Sequence, residues 1–264
     1  MKFFDELAKI IRKSCSKRGY VCDGCGAEIF TYPLQRLCVA CEQELHRNVG
    51  KTCEKCGRAT VAEGVCLLCK QTLPKFDKGI SPFVYRSKTA ALINRIKNGN
   101  RRLAYFFGEN MAEILERECP QILQNEAGRY ALNDENTPLP LLIVPVPITK
   151  TRERERGYNQ ALCLAEAAQA HLVKKGYLAE LDGEALQQRK EIAPQKRQEF
   201  FSRAKNVEGA FHVLKRAVCK DRTVLLIDDI MTTGATGSEC AARLLGAGAK
   251  RVIFLTAAAL PERK

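Results

Sequence analysis

Four Cys-x2-Cys pairs fall between Cys22 and Cys69, and they constrain this part of the chain more than any other feature. The segment has few apolar residues beyond its cysteines and many turn formers, too little for a conventional core, so metal has to supply its stability. Each pair lets two thiolates approach one ion from a tight turn, and two pairs complete a tetrahedron. Cys22, Cys25, Cys38 and Cys41 make one quartet, and Cys53, Cys56, Cys66 and Cys69 make a second. Gly26 and Gly57 directly follow the second cysteine of their pairs, where the turn commonly needs a positive φ. Sequential pairing gives two tandem zinc ribbons, whereas joining the first and third pairs gives a crossed brace; sequential pairing is the expectation. Because cysteine fills every ligand position, both Zn sites are expected to be structural.

The chain has 264 residues, enough for a catalytic-sized domain and a small module. The expected division is an amphipathic helix over residues 1–20, a double zinc ribbon over 21–75, and an α/β domain over 76–264. Phe3, Phe4, Leu7, Ile10 and Ile11 form the apolar face of that helix. No apolar run reaches the ~20 residues of a membrane span, and Asp5, Glu6 and Lys9 interrupt the opening segment, unlike a secretory signal. A cytoplasmic location is expected, where the thirteen cysteines serve metals or chemistry rather than disulfides. The formal charge is +13, and two four-cysteine zinc sites lower it to about +9. That excess favours anionic partners, whether nucleic acid or a phosphorylated metabolite, and also suits plain solubility.

After Pro74 the composition changes. ISPFVY (80–85) reads as a strand, and SKTAALINRIKNG and RRLAYFFGENMAEILERE read as two helices joined at Gly99 and Asn100. Residues 120–140 are polar and irregular. Strands are then expected over 141–146, 184–189, 223–227 and 251–256, with helices over 158–174 and 236–246. Apolar strands alternating with helices imply a parallel sheet covered on both faces, with ligands beyond the carboxyl ends of its strands.

VLLIDDIMTTGAT (224–236) places two carboxylates, Asp228 and Asp229, at the end of an apolar strand. A short loop of Thr232, Thr233, Gly234 and Ala235 then leads into a helix near Thr236. Backbone N–H groups at a glycine-containing loop and helix start attract phosphate, and threonine hydroxyls add donors. Adjacent carboxylates accept hydrogen bonds from sugar hydroxyls. A phosphate pocket beside a diol-reading acidic pair describes a ribose 5-phosphate. Upstream, VPVPITKTRERERGYNQA (144–161) follows another strand and carries Lys150, Arg152, Arg154 and Arg156, groups suited to a diphosphate. His46, His171 and His212 are scattered and suggest no hydrolase triad. Lys97 could reach a phosphate or simply end a solvated helix.

The run from Leu225 to Thr236 resembles the signature of type I phosphoribosyltransferases. With the two zinc ribbons, the VPVP segment, Arg152, Arg154, Arg156, Gly157, Asn159 and Gln160, the resemblance narrows to the ComF family of competence-associated proteins. It implies a parallel-sheet type I phosphoribosyltransferase-like domain behind an N-terminal double zinc ribbon. It also implies binding of 5-phosphoribosyl 1-diphosphate (PRPP) with Mg2+. Asp228 and Asp229 would meet the ribose hydroxyls, and residues 232–236 the 5′-phosphate. Lys150, Arg152, Arg154 and Arg156 would meet the diphosphate, with Lys196, Arg197 and Arg203 in a lid. The implied activity is phosphoribosyl transfer to an acceptor the sequence does not reveal. The other expectation is a non-enzymatic, PRPP-responsive adaptor for DNA uptake that contacts competence or DNA-processing proteins or single-stranded DNA. Phe30 and Tyr32 are the only aromatics in the ribbon span, which favours protein over base stacking there.

Overall fold

The computed structural model describes residues 21–31, 35–123, 131–132, 138–189 and 207–262. The expected helix over residues 1–20 and the segment carrying Lys196, Arg197 and Arg203 lie outside the described residues. The chain forms two compact units, one ending at Leu45 and the other beginning at His46. The first holds the Cys22–Cys41 quartet. A bridge between Val21 and Glu28 closes its first knuckle, and Gly26 takes φ 82° there. Helix α1 (Val39–Gln43) starts at Cys38, whose Sγ caps it by accepting the Cys41 N–H.

The second unit opens with the other quartet and helix α2 (Leu67–Thr72), then strands β1 (Lys78–Ile80) and β2 (Phe83–Val84). Helices α3 (Ser87–Lys97) and α4 (Arg102–Glu118) follow where the apolar periodicity predicts them, and α5 (Pro120–Leu123) is a single turn. A two-residue antiparallel pair, β3 (Ala131–Leu132) and β4 (Pro138–Leu139), precedes β5 (Leu141–Pro145). Then come α6 (Lys150–Arg156), α7 (Gln160–Lys174), β6 (Ala179–Leu181), β7 (Leu186–Gln188) and β8 (Phe211–Val213). The chain continues through α8 (Arg216–Cys219), β9 (Thr223–Met231), α9 (Ala235–Gly246) and β10 (Arg251–Ala259).

The central sheet runs β1-β10-β9-β5-β6, with β2 continuing beside β10, and every pairing in it is parallel. Leu142, Val144, Val224, Leu226, Val252 and Phe254 face one side and share an apolar cluster with Cys240, Ala241 and Leu244 of α9. Gly237 permits this approach, since a Cβ there would lie 2.4 Å from the Phe254 ring. Helices α4 and α7 pack on each other and on β10, β9 and β5. Gly108 sets their spacing, because its Cβ would meet Ala167 Cβ at 2.5 Å. The fold is α/β, with a mostly parallel sheet and two four-cysteine clusters toward its N-terminus, as the sequence predicts.

Several expected boundaries are corrected. Strand β9 does not stop at Ile227 but runs to Met231, and β10 runs to Ala259 rather than Thr256. Thr256 pairs with Asp228, and Ala258 pairs with both Ile230 and Phe83, so ladder hydrogen bonds with β2 and β9 carry this weakly apolar stretch. The segment near 184–189 does not join the central sheet; β7 pairs antiparallel with β8. The edge strand β6, whose residues are half-buried or exposed, has no apolar alternation to announce it.

Candidate functional site

In each quartet the four Sγ atoms lie within 4.8 Å of one another, grouped sequentially and not crossed. Cys25 and Cys38 Sγ are 3.6 Å apart, and Cys56 and Cys66 Sγ 3.9 Å. A tetrahedral ion with Zn–S bonds of about 2.3 Å needs S–S edges of roughly 3.8 Å, so both clusters fit one Zn2+ each. Backbone N–H groups of Gly24 and Cys38 point at Cys22 Sγ, at 3.3 and 3.2 Å, and those of Cys56 and Cys66 at Cys53 Sγ, at 3.5 and 3.3 Å. Donors so placed stabilise thiolates. The Cys56 thiol is brought down to about 5, by its hydrogen bond with Cys69 first and, against burial, by the Arg58 charge and hydrogen bonds.

The sheet changes winding direction between β5 and β9. From β5 the chain passes through α7 to β6 on one side, and from β9 through α9 to β10 on the other. Loops leaving the two strands therefore diverge and open a crevice at their carboxyl ends. The acids and the 232–236 loop belong to β9, and the basic run belongs to the segment after β5, so the topology brings both motifs to this edge.

Asp228 and Asp229 occupy different environments. Asp229 is buried, 5% exposed, and its Oδ2 pairs with Lys97 Nζ at 3.0 Å, at the C-terminal end of α3. Asp228 is half-buried, and its Oδ1 accepts the Asp229 N–H at 2.8 Å. Burial first, and then the neighbouring Asp229 charge, push the Asp228 carboxyl well above its ordinary value. The loop beyond is tightly built. Gly234 adopts φ 82°, which favours glycine, and Thr233 Oγ1 accepts the Ala235 N–H at 3.2 Å. Thr232, Thr233, Ala235 and Thr236 are half-buried at the start of α9. A cavity of about 290 Å³ opens at this helix start, lined by Thr233, Gly234, Ala235, Ser238, Pro74 and Lys75 among others; the two aspartates do not line it.

The basic run is itself a helix. Thr149 Oγ1 caps α6 by accepting the Arg152 N–H at 3.3 Å, and Gly157 ends it at φ 77°. Lys150 and Arg154, one turn apart, are exposed, while Arg152 and Arg156 are half-buried. Arg156 donates to Gln160 Oε1 at 3.0 Å. The GYNQ residues serve architecture. Tyr158 is buried; its hydroxyl donates to the Ile96 carbonyl and accepts the Gly99 N–H at 3.1 Å. Asn159 donates to the Val146 carbonyl at 3.0 Å and caps α7. The motif thus ties the end of β5 to the end of α3, where Lys97 meets Asp229.

Sequence reasoning misses Arg58. This arginine is buried, donates to Cys56 Sγ at 3.2 Å through Nε, and donates to the Thr232 carbonyl at 2.8 Å through Nη2. The signal was available in the two knuckles: Ala27 follows Gly26 in one, whereas Arg58 follows Gly57 in the other.

Comparison with protein-family models and with curated proteins gives no match. No described helix is long and apolar enough to cross a membrane.

Proposed function

We propose that the α/β unit binds PRPP and belongs with ComF-type phosphoribosyltransferase-like proteins, transferring the phosphoribosyl group to an acceptor in a pathway of DNA uptake. The observation that carries this reading is the meeting of an acidic pair, a hydroxyl-bearing loop at a helix start and a basic helix at one winding change of a parallel sheet. The loop N–H groups and the hydroxyls of Thr232, Thr233 and Thr236 suit a 5′-phosphate. The half-buried Asp228 suits a ribose hydroxyl, and the ion pair with Lys97 fixes Asp229 beside it.

Mg2+ bound with PRPP would supply charge neutralisation for the departing diphosphate, and Asp228, an oxygen donor beside the loop, would share in holding it. Arg152 and Arg156, on the half-buried face of α6, would meet the diphosphate, with Lys150 and Arg154 adding positive potential from the exposed face. The chain's contribution is position and charge: a fixed phosphate, an oriented ribose and cations beside the leaving group.

Calorimetric titration of PRPP with Mg2+ into the full chain tests this. Wild type is expected to bind, and Asp228→Asn and Asp229→Asn each to weaken binding at least about tenfold, the effect of losing one charge-assisted hydrogen bond. Unchanged affinity in both variants would remove the ribose assignment. Diphosphate release across a panel of bases separates an enzyme from a PRPP-responsive adaptor.

A further inference from the structure

Arg58 has little freedom. Gly57 before it is pressed onto β1, where a Cβ would lie 2.3 Å from the Gly79 carbonyl oxygen, and its own carbonyl accepts the Asn48 side-chain amide at 2.7 Å. The Arg58 carbonyl accepts the Cys53 N–H at 2.9 Å, and the Ala59 carbonyl accepts the Glu262 N–H at 2.9 Å. A backbone pinned on both sides sends the guanidinium inward, where it spans Cys56 Sγ and the Thr232 carbonyl oxygen. Guanidinium is suited to this because its rigid fork offers separate donors to two acceptors while its charge offsets thiolate charge.

Thr232 is the first residue beyond β9. In a planar trans peptide the carbonyl of one residue and the N–H of the next point in opposite directions. Holding the Thr232 oxygen toward the cysteine cluster therefore turns the Thr233 N–H away from the cluster. Gly234 and the Thr233–Ala235 turn complete the loop from there. Partners around metal ligands are known to orient those ligands; here the same contact extends outward, to a loop.

We propose that Arg58 is a positioning residue for the 232–236 loop: the metal-loaded second cysteine cluster holds the Thr232–Thr233 peptide through it in the orientation that presents an N–H donor to a phosphate group. Phosphate binding by the α/β unit then depends on a cluster that does not touch the ligand. The identity of the anion rests on the proposed function; the mechanical link from Cys56 to Thr232 does not.

The test uses the full chain and the variants Arg58→Gln and Arg58→Lys, with metal content measured by plasma emission. Amide hydrogen exchange reads the 232–238 segment with no ligand present. Inorganic phosphate and ribose 5-phosphate titrations read its function. Arg58→Gln is expected to keep two metal ions, to exchange about tenfold or more faster over 232–238 with α7 unchanged, and to bind phosphate about 10-fold more weakly. Arg58→Lys keeps the charge but cannot span both acceptors, so its loop should exchange faster than wild type as well. Wild-type exchange over 232–238 in either metal-loaded variant overturns the proposal. Loss of the second ion from both variants also overturns it, in favour of a role confined to holding the ligands. If wild type binds no sugar phosphate while the exchange difference stands, the functional reading fails and the link survives.

Discussion

Replacing Lys97 with methionine would strand a buried carboxylate, and the structure sets the scale of the damage. At 3.0 Å the attraction between Lys97 Nζ and Asp229 Oδ2 amounts to about 5 kcal/mol at an effective dielectric constant of about 20, before desolvation is subtracted. Lys97 keeps 27% of its side chain in solvent and Asp229 only 7%. The pair therefore stands between an exposed ion pair, about 0–1 kcal/mol, and a buried one whose breaking costs about 3–5 kcal/mol. Lys97→Met is expected to cost about 2–3 kcal/mol, seen in urea denaturation as a lower midpoint with an unchanged slope. In a thermal scan this is a fall of about 4–10 °C. Asp229→Asn alone should cost less, because the lysine it frees can reach water. The double variant should recover at least half of the Lys97→Met loss, giving a coupling energy of about 1.5–2 kcal/mol. A Lys97→Met protein within about 0.5 kcal/mol of wild type, or a coupling near zero, would refute the view that the Lys97–Asp229 contact supports the fold.

Asp228 should behave in the opposite sense. Its raised folded-state pKa means that ionising it costs stability; the cost is absent below the unfolded value of about 3.9, grows as pH rises, and is complete above the folded value. Asp228→Asn is thus expected to melt higher than wild type at neutral pH, with the gap closing toward about pH 4. A lower melting temperature at neutral pH would contradict this. For the metal clusters, Cys66→Ser and Cys25→Ser should each retain one ion of two by plasma emission. Cys66→Ser should also lower the thermal transition of the α/β unit, followed by circular dichroism, because Cys66 sits in that unit's apolar cluster.

The fold was legible in the sequence where burial is two-sided or periodic. LLIVP and VLLI read as covered strands, and Leu92, Ile93 and Ile96 and the apolar face of α4 gave their helices away. Spacing favoured sequential cysteine pairing without excluding the crossed brace, and the two quartets decide for the sequential form. Legibility failed where polar or small residues are ordered by partners distant in the chain. Thr256 to Ala259 lie in a strand because β2 and β9 hold them. The α6 helix is hidden in a run of charges and declared only by Thr149 and Gly157. The acids could be named as a pair but not told apart, since the difference comes from Lys97, many residues upstream. Arg58 stood out only by its contrast with Ala27 in the other knuckle, because the atom it holds is a carbonyl, which every residue has.

Cys53, Cys56, Cys66 and Cys69 share one apolar cluster with Phe76, Leu226, Leu244 and Phe254. The sulfurs are thus wedged into the same packing that seats α9 on the sheet, and a trimmed version beginning at residue 76 would bare a greasy wall to water. Supply of the ion would then set how many intact copies a cell can keep. An oxidant that scavenged those sulfurs would act as a folding poison.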